Sequence, residues 1–414
     1  MRGRTVNSDF LFEPYSHEFS RDPYRVYARM RREHPIFYHA EWDTWIFSSY
    51  EDINKLLVDK RLGRTLDHVS SEAEIAAHRE KHQWAIAPMH SKYVKISILD
   101  SEATLHDRLR KAVFNEFTTR GVNHLNGDIQ RIVDQQIKAI ASRKTFDFIE
   151  DFVAPIPGLV IGKVLGVPAE QCAQLRTWSE NIVQFFEPER TDEHRILAEQ
   201  ATQEFVDYLR TLLEQRKQSP RDDLITRMIA WRDGGDRLSD DELVSTCMTI
   251  LMAGHGSTID VAGNGMLALL CNPGQLSALR QDPTLIKTAV QEMFRYDPPL
   301  PYFHRYVLED MSYKDRKFKK GTMLGFLYGS ANRDENQYDE PDKFNIRRSP
   351  KRHLAFGGGT HHCLGNHLAR LNMSIIFNTL LQRFPGLKLG VDIDQLRHRV
   401  GCSSRGLLCL PVKK

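Results

Sequence analysis

The chain of 414 residues is 41% hydrophobic and 27% charged, which is typical of a globular protein large enough to bury a sizeable core and a cofactor. Its formal net charge of +3 is too small to indicate nucleic acid or an anionic membrane as a partner. No Gly/Ser-rich, Pro-rich or like-charge linker interrupts it, so we predict a single domain over residues 1–414, with about residues 1–20 as an N-terminal extension.

The first residues, MRGRTVNSDFLFEPYSHEF, are polar where a signal peptide or membrane anchor needs an unbroken apolar run. Six cysteines are scattered without CxxC pairs or a disulfide framework. Both features predict a cytoplasmic protein without a membrane span, whose cysteines are mostly small buried apolar residues.

The predicted elements are mostly helices. Helical spacing runs through PYRVYARMRREHP and stops before Pro35, and the short aromatic-rich runs PIFYHA and TWIFSSY predict a small β-hairpin. From about residue 100 onward amphipathic helices dominate, and the clearest are HDRLRKAVFNEF, DIQRIVDQQIKAIASR, AEQCAQLRTWSENIVQFF, RILAEQATQEFVDYLRTLLEQRK and TLIKTAVQEMFRY. Short β-like runs return in TMLGFLYGS and in the last fifteen residues. We therefore predict a mainly α fold with small β-sheets.

One segment, Asp241 to Cys271, is apolar around much of its circumference and predicts a long helix in the centre of the protein. Polar residues interrupt it too often for a membrane span. Gly254 and Gly256 lie in its middle, where glycine is unfavourable for a helix, so we expect the backbone to bend there or to be closely approached. A loop joining two helices is the alternative.

The stretch HLAFGGGTHHCLGNHLAR, residues 353–370, places three glycines, two histidines and Cys363 before a predicted helix. It lacks the lysine followed by Ser or Thr that a phosphate-binding loop requires. From these residues alone, Cys363 is interpreted as a zinc ligand, a reactive thiolate at a helix N-terminus or a buried structural cysteine.

The spacing Phe356-x-x-Gly359-x-His361-x-Cys363-x-Gly365 resembles the haem-binding signature of the cytochrome P450 family. Three further matches occur in that family's order: EMFR for its ExxR motif, ANRDENQYDEPDKFNIRR for its meander segment and AGHGST for its central helix. The resemblance runs from about residue 20 to the end of the chain and is to the soluble bacterial branch. It implies the cytochrome P450 fold, in which a long central helix crosses a haem.

The resemblance implies a haem b whose iron is bound by the thiolate of Cys363. It assigns further cofactor contacts to Phe356, Gly357, His361 and Gly365 in the cysteine loop, and to His106, Arg110 and Arg305 as partners of the haem propionates. Glu292 and Arg295 share a helix face, and the resemblance implies that they meet Arg347 in a structural trio that holds the cysteine loop.

The central-helix motif departs from the family, in which an acid followed by threonine occupies the positions of Gly256 and Ser257. Oxygen activation needs protons, and Ser257 still offers a hydroxyl, so we predict Ser257, with Gly254 and Thr258 beside it, as the catalytic residues. Asp260, one turn later, feeds a proton relay or holds an internal water. A proton-carrying substrate and peroxide as the oxidant are further interpretations.

The resemblance also suggests the walls of a substrate pocket. They are Thr249, Met252 and Ala253 on the central helix, Leu300, Tyr302 and Phe303 after the ExxR helix, the loop AIAPMHSKYV and the turn VGCSSRG. This mixture of apolar, hydroxyl and aromatic side chains suits a medium-sized substrate with some polar groups.

The predicted function is that of a haem-thiolate monooxygenase, which inserts one atom of O2 into a small-molecule substrate. Its electrons are expected from a separate ferredoxin or flavodoxin with its reductase. Three alternatives stay open: a peroxide-driven or ring-forming family member, a haem-binding protein without turnover, and a zinc or nucleophilic-cysteine enzyme.

Overall fold

The computed structural model describes residues 10–81, 83–231, 235–349 and 351–414. The α-helices found in these ranges are α1 (His17–Arg21), α2 (Pro23–Glu33), α3 (Tyr50–Leu56), α4 (Glu72–Lys81), α5 (Pro88–Lys95), α6 (Ala103–Phe114), α7 (Thr119–Asn123), α8 (Asn126–Ile140), α9 (Pro155–Leu165), α10 (Cys172–Val183), α11 (Asp192–Gln218), α12 (Leu224–Ala230), α13 (Asp240–Gly254), α14 (Gly256–Cys271), α15 (Pro273–Gln281), α16 (Ile286–Tyr296), α17 (Tyr328–Ala331) and α18 (Asn366–Arg383). The strands are β1 (Ile36–His39), β2 (Thr44–Phe47), β3 (Leu62–Gly63), β4 (Thr145–Asp147), β5 (Tyr302–Val307), β6 (Met311–Tyr313), β7 (Arg316–Phe318), β8 (Met323–Leu327), β9 (Lys388–Leu389) and β10 (Pro411–Lys413).

The largest sheet joins strands from both ends of the chain in the order β1-β2-β8-β5-β3. The predicted hairpin forms its edge, because β1 pairs antiparallel with β2, with Ile36 opposite Phe47. Strand β2 then pairs in parallel with β8, and β5 runs antiparallel to β8. Because side chains alternate along β5, Phe303 and Arg305 share one face of the sheet and Tyr302 lies on the other.

The helical body buries the stripes that the sequence pattern predicts. In α8 the buried residues Ile129, Val133 and Ile137 recur every four positions. Helix α13 begins with a capping box in which the Ser239 hydroxyl and the Glu242 carboxylate satisfy each other's backbone N–H groups. Helices α13 and α14 contact α9, α10 and α16, which places them at the centre of the body.

The predicted long central helix is interrupted at His255, where φ and ψ are −87° and −77°. The carbonyl oxygens of Ala253 and Gly254 accept hydrogen bonds from the Ser257 and Thr258 hydroxyls at 2.7 and 2.9 Å. Side-chain donors that bond the carbonyl four residues earlier compete with the backbone ladder and bend a helix. The predicted bend in the central helix is therefore found at this residue, between Gly254 and Gly256.

The predicted N-terminal extension also differs from the structure. Phe10, Phe12 and Phe19 are buried in an aromatic cluster that includes Tyr27 and Tyr302. The chain is therefore part of the folded body from Phe10 onward, and residues 1–9 lie outside the described residues. Over the ranges that the structure describes, no helix combines the length and the apolarity that crossing a membrane requires.

Candidate haem site

A glycine-rich turn carries Cys363 to the start of α18. Gly357 and Gly359 have φ values of 63° and 66°, in the left-handed region that glycine adopts without a steric penalty. A Cβ added to Gly359 would lie 2.1 Å from the Leu57 carbonyl oxygen, so only glycine fits there. The Cys363 N–H donates to the Phe356 carbonyl at 2.9 Å and closes the turn. The backbone therefore holds Cys363 in one place.

Opposing effects act on the charge of the Cys363 sulfur, and burial is the largest of them. Burial raises the pKa of the thiol, while hydrogen bonds from the backbone N–H groups of Gly365 and Asn366 and the charges of Arg110 and Arg370 oppose that rise. These groups would stabilise a thiolate bound to a metal ion. Within the described part of the chain, no cluster of three or more His, Cys, Asp or Glu side chains is arranged to bind a metal, so a zinc ion at Cys363 would lack companion ligands.

Phe356 packs against α16 and α18, and its predicted contact with the haem stays a prediction. It is 8% exposed, and its ring centroid lies 4.6 Å from that of Phe294 on α16. The Arg370 guanidinium lies 4.3 Å from the Phe356 ring centroid. This stack ties the loop to both α16 and α18 and restricts its movement.

Of the predicted propionate partners, His106 and Arg305 are buried and Arg110 is half-buried. Arg110 donates to the His362 carbonyl at 2.8 Å and Arg305 to the His304 carbonyl at 2.9 Å. Among the described residues neither guanidinium forms an ion pair with a carboxylate, although Arg305 is only 3% exposed. The His106 side chain is buried, and its Nε2 atom has no hydrogen-bond partner among the described residues.

These groups fit a haem. The cofactor requires one axial donor for its iron and cationic or hydrogen-bonding partners for two propionates. Cys363 supplies the donor, and Arg110 and Arg305 supply two cations without carboxylate partners among the described residues. The buried Nε2 of His106 is a further polar atom that forms no hydrogen bond within the described part of the chain. A buried cation or polar atom is costly unless a partner group reaches it, and a propionate is such a group.

His361 bonds a carboxylate of the chain itself, and its predicted contact with a haem propionate stays a prediction. Its Nε2 atom donates to Glu102 Oε1 at 2.8 Å, and its ring centroid lies 4.4 Å from that of His106. Hydrogen bonds from His361 and from the Arg64 backbone N–H overcome the burial that would otherwise raise the pKa of Glu102, and they hold that pKa below its usual value. The sequence analysis missed Glu102, which no part of the P450 motifs marks.

The ExxR pair forms as predicted, but its third member was assigned wrongly. Arg295 and Glu292 are nearly inaccessible and form two hydrogen bonds of 2.7 Å, from Nε and from Nη2. The arginine that joins them is Arg348, whose Nε lies 3.2 Å from both Glu292 oxygens. Arg347 is exposed, and only its backbone N–H bonds locally, to Asn345 Oδ1. Neighbouring residues in a loop point in different directions, and the motif spacing alone did not separate them.

The central helix presents one face to open space. Ala253 is exposed although most of α13 around it is buried, and a Cβ added to Gly256 would meet no atom within 4 Å. Ser257 is half-buried and follows on this face. A Cβ added to Gly254 would lie 2.8 Å from Ile161 Cδ1, so Gly254 faces α9 instead.

Thr258 shares the side of the helix that carries Gly254 and is 4% exposed. Of the three residues predicted as catalytic, the structure therefore places only Ser257 beside the open space. Gly254 and Thr258 lie on the packed side of the helix, and their assignment as catalytic residues stays a prediction.

Asp260 lies under the C-terminal turn. Arg399 Nη1 is 3.1 and 3.2 Å from its two carboxylate oxygens, and a Cβ on Gly406 would lie 2.0 Å from Oδ1. Burial raises the pKa of Asp260 to about 6, although Arg399 opposes the rise. The carboxylate thus joins the central helix to the C-terminal turn, and its geometry resembles a structural tie more than a relay.

Two of the predicted pocket-wall residues have positions that fit a pocket wall, and one does not. Leu300 is 37% exposed and, with Ala253, fits the wall of a pocket. Tyr302 does not, because its ring lies against Gly325 of the neighbouring strand and 5.8 Å from the Trp42 ring centroid, in the N-terminal aromatic cluster.

The other three predicted wall residues are buried or contact neighbouring groups of the protein. The Arg64 guanidinium lies 4.2 Å from the Phe303 ring centroid. The Thr249 hydroxyl donates to the Ser245 carbonyl at 2.9 Å, and Met252 is 5% exposed. Their contact with a substrate stays a prediction.

Comparisons with known proteins agree with this geometry. A family model described as "Cytochrome P450" matches residues 173–389. The polyketide biosynthesis cytochrome P450 PksS of Bacillus subtilis is 34% identical over 409 residues, which cover 97% of this chain and 98% of that protein. The 6-deoxyerythronolide B hydroxylase of Saccharopolyspora erythraea is 31% identical and covers 96% of this chain and 97% of its own length.

Solved structures match over nearly the whole chain. PksS superposes with a TM-score of 0.87 over 97% of this chain and 99% of its own. P450BioI, in complex with an acyl carrier protein ligated to hexadec-9Z-enoic acid, is 33% identical with a TM-score of 0.87, and the match covers 96% of this chain and 99% of that one. The predicted fold class, mainly α with small sheets, is thereby confirmed.

Proposed function

Because the chain belongs to the cytochrome P450 family and is thus a haem-dependent monooxygenase, we propose that it binds haem b through the thiolate of Cys363. The observation that carries this proposal is the position of Cys363 on a glycine-closed turn, where the backbone N–H groups of Gly365 and Asn366 donate to its sulfur and the nearby charges of Arg110 and Arg370 favour its thiolate. When bound, haem supplies the redox chemistry that inserts one atom of O2 into a substrate.

Cys363→Ala tests the ligand directly. We expect the variant to lose the thiolate-type absorption band of the reduced carbon monoxide complex, because no other soft donor is held on this loop. The matched control is Cys271→Ala, since Cys271 is an exposed cysteine at the end of α14. An unchanged band in the Cys363 variant would rule out the ligand assignment.

The chain's own residues have distinct roles in this proposal. Arg110 and Arg305 neutralise the two propionates, and Phe356 supports the loop below the cofactor. Ser257 is the proton-handling group on the distal side: its hydroxyl donates to the Ala253 carbonyl, which leaves its oxygen lone pairs available to accept a proton-bearing partner. Asp260 is held by Arg399 and stabilises the position of the C-terminal turn.

We assign the electron donor to the class of acidic ferredoxins or flavodoxins. A concave surface enclosing about 740 Å³ lies on the cysteine side of the molecule. Its lining is basic and partly aromatic, and includes Arg110, Phe114, Arg120, His367 and Arg370. Complementary charge accelerates the association of such proteins.

Arg120→Glu tests this surface, because Arg120 is exposed and lies outside the cofactor contacts. We expect slower reduction by a [2Fe–2S] ferredoxin and a weaker dependence of that rate on salt. Arg25→Glu is the control, since the Arg25 side chain is 91% exposed on α2 and does not line the concave surface. Equal reduction rates for the two variants would contradict the assignment.

A medium-sized organic substrate fits the open face beside Ala253, Gly256 and Leu300. A titration of the ferric protein with a metabolite panel should reveal compounds that convert low-spin to high-spin haem. A compound that produces this change and is then oxygenated identifies the substrate class, whereas a panel without any change would favour the haem-binding protein that does not turn over.

Gly256 supports a second candidate, peroxide-driven oxidation, because no carboxylate occupies the position beside Ser257. Product formation with hydrogen peroxide alone, compared with formation under O2, NADPH and a reductase system, separates the two oxidants. Faster turnover with peroxide would replace the O2-dependent proposal.

The proposed compartment is the cytoplasm. All six cysteines are free thiols in the structure, as expected in a reducing environment. The single-domain organisation over residues 1–414 stays a prediction.

A further inference from the structure

A buried carboxylate lies among the groups assigned to the haem propionates, where a negative charge is unexpected. Glu102 Oε1 accepts hydrogen bonds from His361 Nε2 at 2.8 Å and from the Arg64 backbone N–H at 2.5 Å. The side chains of His361 and Glu102 are 9% and 11% exposed. One oxygen atom therefore joins three segments of the chain, and two of them are 259 residues apart in sequence.

The backbone is adapted to this carboxylate on both sides. A Cβ added to Gly63 would lie 2.9 Å from Glu102 Oε1, so the glycine of β3 provides the space that the carboxylate fills. Ala103, the next residue, has a φ of 49°, which is unfavourable for a residue with a Cβ. Local strain of this kind persists only where the surrounding structure imposes it.

Another buried carboxylate near Glu102 already has a cationic partner. Arg64 Nη2 pairs with Asp100 Oδ1 at 2.7 Å, in a pair that is nearly inaccessible. Arg64 Nε and Ser101 Oγ are buried polar atoms without hydrogen-bond partners among the described residues, as is His106 Nε2. Three such atoms on segments adjoining Glu102 indicate that a polar group of a bound molecule completes this site.

We propose that Glu102 is a positioning residue for the haem: it holds His361 by Nε2 and thereby leaves His106 Nε2 as the imidazole nitrogen that a propionate reaches. The inference rests on the proposed function, since it assumes that haem occupies the site beside Cys363. It assigns His361 to a supporting role, in which its ring packs against His106 and fixes the orientation of that ring.

The test measures transfer of haem from the ferric holoenzyme to excess apomyoglobin, well below the unfolding temperature. Glu102→Ala should lose haem on the order of tenfold faster, because His361 loses a buried hydrogen-bond partner. Glu102→Gln should stay close to the wild-type rate, since its amide oxygen still accepts from His361. Transfer from the alanine variant at the wild-type rate would overturn the inference.

Gly63→Ala provides a second route to the same result. Its methyl group displaces the carboxylate without changing any charge, so its haem loss should resemble that of Glu102→Ala. Asp107→Ala is the matched control, because the Asp107 side chain is 78% exposed and also touches His106, at 3.3 Å. We expect Asp107→Ala to retain haem as the wild type does. Equally fast haem loss from Gly63→Ala and Asp107→Ala would contradict a specific role for Glu102.

A second readout excludes a merely structural role. Glu102→Gln removes a buried negative charge beside the cofactor, so its haem reduction potential should become more positive while haem retention is preserved. An unchanged potential would count against the placement of Glu102 next to the haem. Failure of these tests leaves the Cys363 assignment intact, because that assignment depends only on the carbon monoxide band.

Discussion

The two sides of the haem site are built differently. On the cysteine side, a closed turn, a stacked aromatic and the buried Glu292, Arg295 and Arg348 network fix the Cys363 loop through many hydrogen bonds. On the opposite side, the central helix is apolar, is interrupted at His255 and faces open space at Ala253 and Gly256.

This difference predicts how each side of the site responds to substitution. A polar network loses much of its stability when one member is removed, so the cysteine side tolerates few substitutions. The distal face has few such bonds and can change a residue such as Gly256 without unfolding the protein. Substitutions on the cysteine side should therefore affect stability, and those on the distal side should affect the reaction.

The largest expected effect is that of Arg295→Ala. It leaves Glu292 buried with one remaining arginine and removes bonds to the Asn332, Pro341 and Lys343 carbonyls, so we expect the free energy of unfolding to fall by about 3–5 kcal/mol. Urea unfolding with haem content as a second measure checks this.

Arg29→Ala is the control for Arg295, because Arg29 pairs with Glu33 at a similar helical spacing but both side chains are 45% exposed. That variant should lose less than about 1 kcal/mol. A loss of equal size in the two variants would remove the contrast between buried and exposed pairs.

Arg348→Ala and Arg347→Ala test the corrected assignment. Arg348 also donates to the Asp339, Glu340 and Lys343 carbonyls, so its loss should cost about 1–3 kcal/mol of unfolding free energy. Arg347→Ala should stay within about 0.5 kcal/mol of the wild type. Denaturant titrations measure the unfolding free energy of both variants. A larger loss for Arg347→Ala than for Arg348→Ala would restore Arg347 as the third member of the trio.

Asp260 predicts a pH dependence of stability. Its folded-state pKa of about 6 lies above its ordinary value of 3.8, so the stability that it contributes is complete below 3.8 and is lost as the pH rises through 6. We expect this group to lower the unfolding free energy by about 1–2 kcal/mol between pH 4.5 and 7.5.

In Asp260→Asn this contribution should be absent, so the change in unfolding free energy across the range, measured by urea midpoints, should differ from that of the wild type by about 1–2 kcal/mol. Asp222→Asn removes a fully exposed aspartate and should keep the wild-type slope. A wild-type slope in Asp260→Asn would mean that another group titrates.

The smallest effects are expected on the distal face, in the fraction of electrons that reaches product. Ser257→Ala should lower this fraction by about twofold or more, because it removes a hydroxyl beside the open face of the helix. Gly256→Glu places an acid there and should raise the fraction of electrons that reaches product. The substitution starts from open space, since a Cβ added to Gly256 has no atom within 4 Å.

Thr258→Ala is the matched control, since its hydroxyl makes the same type of bond on the packed side. The measurement is product formed per NADPH consumed with a reductase system. Identical coupling in all three variants would mean that protons reach the site by another route.

Much of the fold and part of the site could be predicted from short patterns. Helical periodicity located the helices of the body, and the spacing around Cys363 located the turn, because such features depend on residues close together in sequence. The same patterns failed at Arg347, because the neighbouring Arg348 reaches Glu292 instead, and at Tyr302, whose ring lies in the N-terminal aromatic cluster. In each of these cases the direction of a side chain or backbone position is decided by a packing partner elsewhere in the chain.

By itself, the sequence determined the helical body, the Cys363 loop and the Glu292–Arg295 pair, since local spacing sets the geometry of each. Only the tertiary structure decided that Arg348 completes the trio, that Tyr302 packs into the N-terminal aromatic cluster and that Glu102 holds His361. These features join segments that are distant in sequence, and which atoms meet across such distances follows from how the whole chain packs.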